Sequence, residues 1–106
     1  ETEAILKLLA PYAKHIHIKN IAYPEHVQEV YREAGWEYET YVCPIYKGDI
    51  NIELILAELK KSSYKGSLCI EEEALHLFPD PNEKKEVLKQ DIEFINEITN
   101  DIQFDN

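Results

Sequence analysis

Two short segments restrict the folds open to this chain more than any other feature. His15-Ile16-His17-Ile18-Lys19-Asn20 alternates polar and apolar residues, and Ser67-Leu68-Cys69-Ile70-Glu71 is an apolar run ending in an acid. A period of two places Ile16 and Ile18 on one face of an extended strand and His15, His17 and Lys19 on the other. Helical spacing precedes each strand. Ile5, Leu8, Leu9 and Tyr12 repeat along one helix face before the first. Ile52, Ile55, Leu56 and Leu59 do the same before the second, behind Asn51 as an N-cap. Asp80-Pro81-Asn82-Glu83 then opens a final helix with a capping residue, a proline at the first helical position and a glutamate three residues after the cap. Leu88, Ile92, Ile95, Ile98 and Ile102 are expected along its apolar side.

The order helix, strand, helix, strand, helix makes parallel strands with helices packed outside them. Two short strands bury too little surface for a good α/β sheet, so the pattern calls for further strands. At 106 residues the chain fits one small domain, 1–106. It has no methionine and starts at Glu1 inside a helical pattern, as expected of a piece of something longer. Between the strands, Pro24 to Ala34 reads as a short helix stopped by Gly35. Trp36 to Tyr46, rich in aromatic and β-branched residues, reads as an extended excursion or hairpin.

Acidic residues outnumber Lys and Arg by 21 to 11, a net charge of −10. Such a surface repels nucleic-acid phosphates and anionic membranes, so neither is an expected partner. No apolar run is long enough to span a bilayer, and no secretory leader is visible. Cys43 and Cys69 show no CxxC spacing and make no disulfide framework, and Cys69 is expected to be a small buried apolar group. A cytoplasmic location follows from these readings as an expectation.

In a closed parallel barrel, one parity of each strand faces the interior and the other lies under the helices. On that arrangement His15, His17 and Lys19 face inward from the first strand, and Ser67, Cys69 and Glu71 from the second. The polar members fall toward the C-terminal ends, where barrel active sites are built. A histidine with a carboxylate suits a catalytic divalent cation such as zinc, manganese or cobalt. Taken alone, a His-x-His strand is more often an ordinary half-buried strand, and Glu71-Glu72-Glu73 more often a solvated acidic loop.

The stretch Pro11 to Asn20, PYAKHIHIKN, resembles the "hvHvKD" strand of the xylose isomerase-like sugar phosphate isomerase/epimerase superfamily. The stretch YKGDINIELILAELKKSSYKGSLCIEEEAL resembles the next part of that family's pattern: a glycine turn, "GDID", a helix, "gYxG" and an apolar strand ending in glutamate. The likeness covers nearly the whole chain apart from the excursion between Ile21 and Ile45. It implies the C-terminal part of a (β/α)8 TIM barrel, incomplete as a barrel on its own. It also implies a divalent metal ion (Mn, Co, Zn or Mg) held by His17 and Glu71, with the remaining ligands on earlier strands that this sequence lacks. Glu71 would double as the catalytic acid/base. Lys19, and one layer deeper His15, would bind substrate, although His15 also fits a hydrogen-bonded interior histidine and Lys19 a strand-end lysine reaching water. Asn20 departs from the family's usual aspartate, which weakens any role needing charge there. Trp36, Tyr38 and Tyr41 either cover the sugar, meet a neighbouring subunit or pack on their own hairpin.

The implied function is a metal-dependent sugar or sugar phosphate isomerase or epimerase of carbohydrate metabolism, moving a proton next to a carbonyl. The isolated chain is expected to be inactive, and to form a homo-oligomer or associate with the missing part of the barrel. An inosose dehydratase-like lyase is a close variant on the same scaffold. An endonuclease IV-like repair enzyme shares the barrel but needs more ligands and a basic surface. A non-enzymatic α/β interaction module is the reading of a different class.

Overall fold

Asn51 starts the helix that organises the interior. Its side-chain oxygen accepts from the Leu54 N–H at 3.0 Å, satisfying one of the donors a helix start leaves open. The structure, a computed structural model, describes residues 2–102. Its elements are helix α1 (Thr2–Leu9), strand β1 (His15–Ile18), strand β2 (Asn20–Ile21), helices α2 (Glu25–Gln28) and α3 (Tyr38–Tyr41), strand β3 (Val42–Cys43), helix α4 (Ile52–Lys61), strand β4 (Ser67–Ile70) and helix α5 (Pro81–Asp101). The chain is thus a mixed α/β structure. Among the described residues its strands form two separate two-stranded sheets, and no barrel closes.

β1 and β4 pair in parallel, with His15 opposite Ser67, Ile16 opposite Leu68, His17 opposite Cys69 and Ile18 opposite Ile70. Alternation then decides what each face meets. Ile18 packs with Leu56 and Leu59 of α4 and with Ile95 and Ile98 of α5, while Ile16, Leu68 and Ile70 border this cluster, half-buried. The expected core face of α4 is buried at Ile52, Leu56 and Leu59.

The turn from α4 into β4 shows why glycine comes after tyrosine and lysine here. Tyr64 is buried, and its hydroxyl donates to the Ser67 carbonyl at 2.6 Å. A Cβ at Gly66 would collide with the Lys14 carbonyl and the Tyr64 ring, so only glycine lets the chain pass between them.

Two helices differ from their sequence patterns. α1 forms, but Ile5, Leu8 and Leu9 on its apolar face are exposed, as is Tyr12, at 80%, in the 3-10 turn Ala10–Tyr12 that follows it. On α5 the buried side is Val87, Asp91, Ile95 and Ile98, and Leu88 and Ile92 lie open to solvent. Periodicity locates an apolar stripe and does not supply its partner.

The excursion is more irregular than a single helix over 24–34. Only α2, four residues long, forms there. Val30 and Tyr31 find nothing to bury them, and a helix without a packed face is too short to propagate on propensity. The Arg32 guanidinium instead caps the Val27 and Val30 carbonyls. The hairpin or extended excursion expected over Trp36 to Tyr46 does not form: Tyr38–Tyr41 turns into the helix α3, and only Val42–Cys43 is a strand, pairing antiparallel with Asn20–Ile21 of β2 at the end of β1 rather than within the segment. Tyr23, Trp36 and Tyr41 pack together with ring centroids 5.4 to 6.2 Å apart, and Arg32 lies over Tyr23.

Candidate functional site

The residues pointing away from the α4–α5 core form a polar row across β1 and β4. Ser67 Oγ lies 2.7 Å from His15 Nδ1, as expected of cross-strand partners. His15 Nε2 lies 2.8 Å from His17 Nε2, the two rings meeting edge to face with centroids 4.7 Å apart. His17 Nδ1 stands 3.5 Å from Glu71 Oε2, longer than a well-formed hydrogen bond. Glu71 comes directly after β4, and its own N–H donates to the Ile18 carbonyl at 2.8 Å, which continues the parallel ladder and fixes the glutamate at its end. His17 and Glu71 side chains are each about half exposed, at 48% and 40%.

Lys19 extends the row. Its ammonium is 3.9 Å from Glu71 Oε2 and donates to Glu73 Oε1 at 3.1 Å. It also lies 5.4 Å from the centroid of the Tyr38 ring. The Glu73 hydrogen bond raises the Lys19 pKa, helped by neighbouring negative charge, and the same bond lowers that of Glu73. The Tyr38 hydroxyl is buried beside Glu73 without a well-aligned hydrogen bond. Burial first, then that carboxylate, pushes it above the ordinary phenol range. Tyr38, Val42, Glu73 and His76 border a shallow recess of about 420 Å³ next to the row.

All four site residues expected from sequence therefore fall together: His15, His17, Lys19 and Glu71. Two further participants have no site signature in the sequence. Glu73 reads there as part of a solvated acidic run, and its signal lies only in being two residues beyond Glu71, on the same side of an extended chain. Tyr38 is one of three aromatics in the excursion. Trp36 and Tyr41 pack on Tyr23, and Tyr38 alone turns toward Lys19.

Asn20 has a structural task that explains the amide. It is buried, and its Nδ2 donates to the Ile45 carbonyl at 3.0 Å, while its Oδ1 accepts from the Ile21 and Ile50 N–H groups at 2.9 and 3.0 Å. An aspartate could accept but not donate. Gly48 packs directly against this amide at φ 128°, where a Cβ would clash with it. The bracket ties the 43–50 loop to the end of β1.

The chemistry of the His17–Glu71 pair fits a divalent cation. Bonds of about 2.0–2.2 Å from a nitrogen and an oxygen at a roughly tetrahedral angle place the two donors about 3.4 Å apart. That is close to the spacing of Nδ1 and Oε2. Among the described residues no group of three or more His, Cys, Asp or Glu side chains is placed to hold a metal. No helix among the described residues is long and apolar enough to cross a membrane. No protein-family model matches the chain, and no curated protein or solved structure matches it either.

Proposed function

We propose that this chain is the C-terminal part of a metal-dependent sugar isomerase or epimerase with a TIM-barrel scaffold of the xylose isomerase-like type. One observation carries the reading. His17 Nδ1 and Glu71 Oε2 face each other at chelating distance across adjacent parallel strands, at their C-terminal ends, with Lys19 beside them. His17 and Glu71 would hold the ion, which when bound polarises a carbonyl or hydroxyl oxygen of the sugar. Glu71 lies at the rim, half exposed, where its second oxygen can take a proton from the adjacent carbon and return it. Lys19 would orient a hydroxyl or phosphate oxygen, sharing its charge with Glu73. Tyr38 and the recess below it would border the sugar.

The unclosed sheet supports the incomplete-barrel part of the proposal. The Glu71 N–H points to β1, so the N–H and carbonyl groups of Leu68 and Ile70 point to the other edge of β4, away from β1. Beside that edge runs an open groove of about 590 Å³ whose apolar side is Leu68, Ile70, Ile92 and Ile95. Together with the bare face of α1, these surfaces should bring the chain into association with itself or with the rest of a barrel. Light scattering checks this, and a monomer with a cooperative melt at high concentration would overturn it.

Calorimetry with manganese, cobalt and zinc tests the site. Weak binding is expected, lost in both His17→Ala and Glu71→Ala. Binding that survives either substitution, or none by the wild-type chain, would count against the metal-dependent reading.

A further inference from the structure

The free edge of β4 carries its hydrogen-bonding groups in a symmetric arrangement. Leu68 and Ile70 each turn an N–H and a carbonyl away from β1, and Cys69 lies between them. An antiparallel strand centred on Cys69 meets those groups with the same set of its own. Leu68 then exchanges both its hydrogen bonds with Ile70 of the other strand, and Ile70 exchanges both with Leu68. Moving the centre to Leu68 or to Ile70 sets the other residue against Gly66 or Glu72, which lie outside the strand. A second copy of β4 is therefore a complete partner for the first.

The surroundings of the edge favour that occupant. Beneath it runs the groove of about 590 Å³, with Leu68, Ile70, Ile92 and Ile95 on its apolar side. Residues opposite each other on paired strands point to the same face, so Leu68 and Ile70 of the second copy would enter this groove. They would cover Ile92, which is 51% exposed on its α5 side. Charge agrees. Acids outnumber Lys and Arg by 21 to 11 in the chain, yet among the described residues Lys65 is the one charged residue on the lining of the groove. Lys65 precedes β4, and Glu71, Glu72 and Glu73 follow it. Antiparallel alignment turns the basic end of each strand toward the acidic end of the other, whereas parallel alignment of two β4 strands lays acids along acids.

We propose that the open edge of β4 docks the same edge of a second copy of this chain, antiparallel and with Cys69 on the two-fold axis, in a continuous sheet β1–β4–β4–β1. The pairing rests on the open edge described with the proposed function, and it needs neither a metal nor a substrate. One consequence separates it from head-to-tail contact and from a strand supplied by the rest of a barrel. At its centre the two copies of Cys69 form a non-hydrogen-bonded pair. The Cα atoms of such a pair are about 4.5 Å apart, inside the range of about 4.4–6.8 Å that a disulfide spans. Cys69 is half-buried with a free thiol, and the other cysteine, Cys43, belongs to the separate β2–β3 sheet.

Two measurements on the whole chain test the pairing. In light scattering the wild type should have twice the chain mass. Diamide, which joins two thiols and takes up their two hydrogens, should then convert most of it to a covalent dimer on a non-reducing gel. Cys43→Ala should keep that product, whereas Cys69→Ser should lose it and remain a dimer in solution. Ile92→Lys, at an exposed position, brings a cation from each copy into the shared apolar groove and should raise the dimer dissociation constant about a hundredfold. A dimer that gives no Cys69 cross-link, or that cross-links through Cys43, would overturn the pairing. So would a dimer that Ile92→Lys leaves equally tight, or an assembly larger than two. A monomer would overturn it as well and leave the edge to a strand of a different chain. Metal titration reads the function separately: a Cys69-linked dimer that binds no manganese, cobalt or zinc keeps the pairing and loses the metal-dependent reading.

Discussion

The two faces of the β1–β4 ribbon are built from alternate residues of the same two strands, and they have opposite characters. On one face Ile16, Ile18, Leu68 and Ile70 meet the side chains of α4 and α5. On the other, Ser67, His15, His17 and Glu71 run in a polar row with large solvent exposure. A strand separates the two jobs by its own geometry, because its side chains point to opposite sides with a period of two. The core face can therefore be damaged without touching the row, and the row stripped without touching the core.

The largest expected effect sharpens that separation. Leu56 is fully buried beneath the ribbon. Leu56→Ala removes apolar volume that its neighbours cannot refill and should cost about 3 kcal/mol. Glu71→Ala on the opposite face deletes a half-exposed ion pair, and surface pairs of this kind contribute about 0–1 kcal/mol. Chemical denaturation of the two variants compares them directly. Similar losses would mean that the faces are energetically coupled and that the row also holds the fold together.

Legibility in the sequence divides along the same line. The alternation in HIHIKN and the capped repeat after Asn51 locate β1 and α4 close to their observed limits, because local spacing and capping chemistry decide both. Parity puts His17, Lys19 and Glu71 on the same face of their strands, and the parallel pairing of β1 with β4 then brings them together. What parity cannot supply is long-range placement. The Pro24 to Ala34 pattern does not become a helix because nothing packs against it, and a pattern cannot report a missing partner. The Asn20 bracket joins residues 25 and 30 positions away, and Glu73 reaches Lys19 across 54, so neither has a local signature. Asp91 is the clearest case. It occupies a position on the buried side of α5 where an apolar residue is expected, and only the fold brings Ile45 and Glu72 to it.

That buried acid yields a further test, of whether the core side is as indifferent to charge as the comparison implies. Asp91 Oδ1 accepts from the Ile45 N–H at 2.9 Å, and its Oδ2 and the Glu72 Oε2 are both buried with no other partner. A proton between the two carboxyl groups resolves that conflict. Burial first, and then Glu72, pushes Asp91 up to about 8 from its ordinary 3.8, with the backbone at Ile45 and Tyr46 pulling the other way. The folded chain thus holds a proton that the unfolded chain releases between those two values. The Asp91 contribution to stability is present in full below the lower value and is lost as pH rises through the higher one. Asp91→Asn keeps an acceptor for Ile45, offers Glu72 a donor and cannot ionise. Melting curves of wild type and variant should coincide in acid and separate as the pH rises, with the variant higher on the alkaline side by about 4–8 °C for each kcal/mol. Parallel curves would mean that Asp91 is ionised in the folded chain. The apolar side of the ribbon would then carry a buried negative charge, and the division between a core face and a polar face would fail at α5.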